Sequence, residues 1–241
     1  MTRRNSSTSA KPHLSKGIFT GSTFGFLNEL RSNNDRDWFA SNKFRYESDV
    51  LHPALEFVQQ MKPRLSRHSR YLSAEAKRVG GSIMRIYRDT RFSKDKTPYK
   101  TNLGIHFRHS LGGDVHAPGL YVHIEPGACF LAAGIWMPPA EPLQMIRQSI
   151  LESPTDWKRT KNNKNFRSHF QLEGESLKTA PRGIPKDHPE IADLRRKSFA
   201  GVMYITDEQL TDTSFVEFAD RALLTARPLM KFLCDALHQP Y

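Results

Sequence analysis

The chain has 241 residues, with 36 Lys+Arg against 25 Asp+Glu and a formal net charge of +11. Hydrophobic residues at 38% and aromatics at 10% exclude a disordered protein, and the length allows a core that needs no staples. There is no run of about 18 apolar residues to span a membrane, and two cysteines, Cys129 and Cys234, cannot make a disulfide framework or a Cys-rich metal knuckle.

Residues 1–18 carry Arg3, Arg4, Lys11 and Lys16, no acid, and several Ser. This composition predicts a disordered basic arm, because it offers no apolar surface to offset ordering entropy. No apolar core follows the arginines, so the arm is not a secretory signal, although an Arg- and Ser-rich, acid-poor start also fits a transit peptide. Without these four cations the rest of the chain keeps +7 (11 − 4), a balance that favours anionic partners.

A first helix is expected from a cap at Ser22 or Thr23, with Phe24, Phe26, Leu27 and Leu30 on its apolar face. Ser32 to Asp35 reads as a turn and second cap. A long helix follows from about Arg36 to about Arg67, kinked or broken near His52 by Pro53. The period then changes to two. Strands are predicted at 83–88, 103–107, 120–125 and 130–136, joined by short connections as an antiparallel meander. Residues 142–151 read as helix, 157–168 as a basic Asn-rich stretch, and 169–189 as an extended, irregular segment. Ile191–Lys197 is a short helix and Phe199–Ile205 a fifth strand. Thr206 and Asp207 cap the way into a helical segment at 213–238. Helices, then strands, then helices indicate one α+β domain at 19–241. Its four- to five-stranded, mainly antiparallel sheet is covered by helices from the N- and C-terminal parts.

Within this frame, the block Arg85-Ile86-Tyr87-Arg88-Asp89-Thr90-Arg91-Phe92-Ser93-Lys94-Asp95-Lys96-Thr97-Pro98-Tyr99-Lys100 resembles the hallmark of a bacterial family of uncharacterised conserved proteins. Asn33 to Phe39, Gly134 to Pro138, Glu173 to Lys178, Pro181 to Gly183 and Asp187 to Pro189 are similar to the same family. The resemblance covers nearly all of 19–241 and implies a single domain. It assigns no reaction, so roles must come from chemistry.

The block is the densest chemistry in the chain. Arg85, Arg88, Arg91, Lys94, Lys96 and Lys100 can surround a phosphate or carboxylate, with Arg as planar fork and Lys as mobile point charge. The competing reading pairs Asp89 and Asp95 with these cations and makes the loop a structural bracket. Strand alternation puts Arg85, Tyr87, His106, Arg108, Tyr121, His123 and Glu125 on one sheet face. That face is either a binding floor or a plain solvated surface. His123 and Glu125 are the candidate catalytic acid–base pair, although i and i+2 on a strand stand some 6–7 Å apart. Trp136 ends the meander beside these polar groups. The long segment carrying Glu175 and Arg182 is expected to fold over the polar face, so that Tyr87, Tyr121, Trp136, Glu175 and Arg182 line the pocket.

Four histidines, His106, His109, His116 and His123, lack the spacing of a metal site, and no metal or cofactor is expected. Ser93-Lys94-Asp95-Lys96 fits S-x-x-K without its companion motifs. Both cysteines fall on apolar faces and read as core. P-loop and dinucleotide fingerprints are missing. The leading expectation is a cytoplasmic protein binding a phosphate- or carboxylate-bearing small molecule in a basic pocket, with acid–base catalysis as an extension. The alternative is a nucleic-acid-binding module. It would use the arm, the block, and Lys158, Arg159, Lys161, Lys164 and Arg167 between Trp157 and Phe166. A non-catalytic scaffold is the third reading.

Overall fold

The computed structural model describes residues 17–112 and 117–241. The arm falls outside the described residues except for Gly17 and Ile18. Ile18 packs against the core, so the fold begins earlier than residue 19.

Helix α1 (Gly21–Ser32) is capped by Thr20, two residues before the expected Ser22; Thr20 and Thr23 bond each other's backbone in a capping box. Asp35 caps α2 (Arg36–Ser41) by accepting from the amides of Asp37 and Trp38 at 3.0 and 2.8 Å. The expected long helix is interrupted twice. It breaks at Asn42 before α3 (Lys43–Tyr46), then widens into a π-turn over Glu47–Leu51 ahead of α4 (His52–His68). Pro53 has no amide to give and its ring crowds the carbonyl four residues back, and the π-turn ends at its doorstep.

The meander has three strands rather than four: β1 (Leu103–Arg108), β2 (Gly119–Ile124) and β3 (Phe130–Ile135). Residues 83–88 do run antiparallel beside β1 and the segment that precedes it, but only through isolated bridges, Ile83 to Ile105 in β1 and Tyr87 to Tyr99 before it. Met84 and His106 bond across to Gly104 and Ser82, whereas Lys100 and Arg88 bond to Ile86 and Pro98. Between these pairs the register slips by two residues, and the slip at 101–102 prevents a continuous strand.

After the meander come α5 (Ala140–Glu152), α6 (Pro154–Lys161) and α7 (Lys164–Arg167). The irregular segment then contributes a short strand, β4 (Gln171–Glu173), before α8 (Ile191–Leu194) and β5 (Phe199–Tyr204). The C-terminal helical segment is α9 (Asp207–Thr211), capped by Thr206, then α10 (Phe215–Thr225) and α11 (Arg227–Ala236). Pro228 at the start of α11 turns one expected helix into two. The sheet is five-stranded and antiparallel throughout, in the order β1-β2-β3-β5-β4, which makes this an α+β domain.

One sheet face is core. Ile105, Phe107, Leu120, Val122, Ile124, Leu131 and Ile135 are buried together with Phe57, Phe215, Leu223, Leu229 and Leu233 from α4, α10 and α11. Helices from both ends of the chain thus cover that face, and the other face is left for chemistry. Among the described residues no helix is long and apolar enough to cross a membrane.

Candidate functional site

The open sheet face is laid out in cross-strand rows. Gly104, His123, Phe130 and Tyr204 stand opposite one another in the first row, and His106, Tyr121, Ala132 and Val202 in the next. Arg108, Gly119, Gly134, Ala200 and Glu173 make the third. Aromatic side chains crowd the first row and the β1–β2 side of the second, whereas Ala132, Gly119, Gly134 and Ala200 leave the floor beyond them low. Small floor and tall walls make a cavity of about 460 Å³, lined by His106, Tyr121, His123, Phe130, Trp136 and Tyr204 among others.

Two glycines give this face its shape. A Cβ on Gly104 would stand 2.6 Å from the Tyr121 hydroxyl, and one on Gly119 would stand 2.4 Å from His106 Nε2. Each glycine is the space in which a polar side chain of the neighbouring strand lies. At the rim, Met137 follows Trp136 with φ of 44°, a strained value for a side chain with a Cβ. Its amide donates to the buried Ser198 hydroxyl at 2.9 Å, which holds the turn.

His123 and Glu125 meet closely. His123 Nε2 lies 3.1 Å from Glu125 Oε2 because Glu125 sits just past the end of β2, released from the pleat that would keep i and i+2 apart. A carboxylate only accepts, so Nε2 carries the hydrogen, and in the neutral ring Nδ1 is then the acceptor. Nδ1 faces the Tyr121 hydroxyl at 3.2 Å and the Asn102 amide at 3.4 Å. Arg31 of α1 closes the far end, donating to Glu125 Oε1 at 3.2 Å. Tyr121, His123 and Glu125 thus form a hydrogen-bonded series. Burial, then the charge of Glu125, pushes the Tyr121 phenol up to about 12, so it remains a donor at neutral pH. Burial, with Arg108 adding to it, pushes His106 down to about 4, so its imidazole is neutral. Across the cavity, Tyr204 donates to Glu173 at 3.0 Å.

The basic block lies apart from this cavity. Arg91 makes a two-pronged pair with Asp89 at 3.0 and 2.7 Å, Arg88 bonds Asp95 and Thr97, and Lys96 donates to the Thr90 carbonyl at 2.8 Å. These are the contacts of the structural bracket. Tyr87, Arg88, Thr90, Lys96 and Thr97 line a separate hollow with Asn34, Asp35 and Arg36. Arg85 and Lys100 lie outside both cavities, and Lys94 is exposed. Burial, and then Arg85, lowers the Lys100 ammonium below its ordinary value.

Of the expected pocket residues, Tyr121 and Trp136 line the sheet-face cavity. Tyr87 does not, because Ile83 pairs with the core residue Ile105, so that Met84 rather than Arg85 stands on this face, and Tyr87 pairs with Tyr99 ahead of β1. Glu175 pairs with Lys197 at 2.7 Å and Arg182 is exposed, so neither lines the cavity; β4 brings Glu173 instead. Phe130, Ala132, Gly134 and Tyr204 were missed as lining residues, although alternation along β3 and β5 puts them on the polar face. Arg31 and Asn102 gave no signal in the sequence.

His109 is a structural residue, fully buried, with Nε2 at 2.6 Å from the Pro240 carbonyl. His116 lies outside the described residues. Among the described residues no group of three or more His, Cys, Asp or Glu is arranged to hold a metal ion. Cys129 and Cys234 are buried free thiols, pushed up to about 11 and about 12, chiefly by burial. In the 157–167 stretch, Trp157 and Phe166 are core residues rather than stacking surfaces, and Lys161 is held by Glu190 and Asp193.

The family model described as "Conserved hypothetical protein (DUF2461)" matches residues 22–232. No curated protein and no solved structure matches the chain.

Proposed function

The chain belongs to the conserved hypothetical protein family DUF2461, and from that premise we propose that its sheet-face cavity binds a small, largely apolar molecule and moves a proton on it. The observation that carries this reading is the Tyr121–His123–Glu125 series opening on a cavity of about 460 Å³. Acid–base work needs a base within hydrogen-bond reach of the proton it takes, and a partner to orient that base. Glu125 orients His123, His123 Nδ1 is the acceptor, and Tyr121 is the hydroxyl that gives or relays the proton. His106, neutral beside them, provides a hydrogen-bonding group without charge. Phe130, Trp136 and Tyr204 supply apolar walls for the body of the ligand. A cytoplasmic setting fits the two free thiols.

The test is a fragment screen by NMR on the full chain and on Ala132→Phe. The substitution fills the cavity floor without touching the core face. Fragments that bind the wild type and shift His123 and Tyr121 signals, and that are lost in Ala132→Phe, support the reading. Fragments that bind both proteins equally, or none that bind the wild type, overturn it.

A further inference from the structure

The hollow between the α1–α2 turn and the basic block has a volume of about 670 Å³ and shares no residue with the sheet-face cavity. We propose that it is a second binding site, for the phosphate monoester group of a small molecule. Its lining holds three cations, Arg36, Arg88 and Lys96, against one carboxylate, Asp35. Arg88 also pairs with Asp95 outside the lining, so one positive charge remains in excess. The three terminal oxygens of a monoester can accept from all three cationic groups at once, which the two free oxygens of a diester or carboxylate cannot.

The donors are available. Arg36 has no hydrogen-bond or ion-pair partner among the described residues. Arg88 engages its neighbours through Nη1 alone, leaving Nη2 and Nε to face a ligand. Lys96 has one hydrogen on the Thr90 carbonyl, and an ammonium has three. Asp35 turns Oδ1 to the amides of Asp37 and Trp38 in capping α2.

The frame that carries these groups is fixed in advance. Asn34 bonds the backbone of Tyr99 through both ends of its amide, each at 3.0 Å. Tyr99 in turn stacks on Phe39 with ring centroids 4.1 Å apart. The Thr97 amide donates to Asp95 at 2.9 Å, which sets the loop carrying Lys96. Cations on a frame already ordered lose little freedom on binding. Tyr87, half-exposed beside Tyr99, forms an aromatic lip against which the organic part of the ligand would lie.

Calorimetric titration of the full chain at fixed ionic strength tests the site with glycerol phosphate, inorganic phosphate, dimethyl phosphate and a short oligonucleotide. Saturable binding of the monoester is expected, weakened about tenfold or more in Arg36→Ala and in Lys96→Ala. Arg36 is exposed and makes no hydrogen bond or ion pair among the described residues, so Arg36→Ala should melt like the wild type. His123→Gln and Ala132→Phe should bind the monoester as the wild type does, which separates this site from the sheet-face cavity. Absence of saturable monoester binding, equal affinity in Arg36→Ala and Lys96→Ala, or tighter binding of the diester or oligonucleotide overturns the proposal.

Discussion

His123 lies flat against Phe130, with ring centroids 4.5 Å apart and planes within 8°. The two residues face each other across the β2–β3 pairing, so the ring that Glu125 orients at one edge is also held over its whole face. Phe130→Ala removes that backing. The fold should lose about 1–2 kcal/mol by urea denaturation, and ring-nitrogen NMR should show His123 exchanging between tautomers. A single fixed tautomer in Phe130→Ala would mean that Glu125 alone sets the ring.

His106 makes the fold acid-sensitive. Its ordinary value is 6.5 and its folded value about 4, so the unfolded chain binds the proton first. The His106 contribution is intact above about pH 6.5, is lost as pH falls through the interval, and levels off below about pH 4. The loss is on the order of 3 kcal/mol. Stability curves of wild type and His106→Gln should diverge across that window, and parallel curves would refute the assignment.

Gly119→Ala puts a Cβ 2.4 Å from His106 Nε2 and 2.9 Å from the Phe107 carbonyl. His106 must then swing out. A cost of about 1–3 kcal/mol is expected, together with an imidazole titration moving back up toward 6.5, which an NMR pH series reads directly.

Asn34→Ala breaks both bonds that tie the α1–α2 turn to Tyr99. Loss of two partly buried hydrogen bonds should cost about 1–3 kcal/mol. Faster amide exchange through residues 86–100 is the accompanying sign. A local role predicts this exchange change even where global stability moves little.

Asp193, nearly fully buried, accepts from Lys161 at 2.7 Å, Arg196 at 2.9 Å and Trp157 at 2.9 Å. Asp193→Ala strands these donors. A loss of about 3–5 kcal/mol is expected from thermal and urea unfolding, the largest effect of any substitution here.

The β2 face was legible because alternation is a local signal, and Tyr121, His123 and Glu125 follow from it directly. Glu173 and Tyr204 reach the same cavity through pairings that put β5 beside β3 and β4 beside β5, and a single sequence carries no mark of that neighbour choice. The segment at 83–88 alternates as a strand does, yet Thr101 and Asn102 take up a two-residue slip that alternation cannot reveal. Cation density in the basic block was visible. Which cations its own aspartates hold was not, since Arg88 to Asp95 and Arg91 to Asp89 depend on how the loop turns.

The broken ribbon beside β1 also bears on how the chain keeps company with its copies. Ser82 and Met84 bond one stretch of β1's outer backbone, and Ser73 and Tyr71 bond Arg108 and Ser110 further along. At the opposite margin β4 offers only three residues. A sheet whose margins are occupied or short gives no template for an incoming strand. The fold can therefore hold one face open for a ligand without inviting edge-to-edge aggregation.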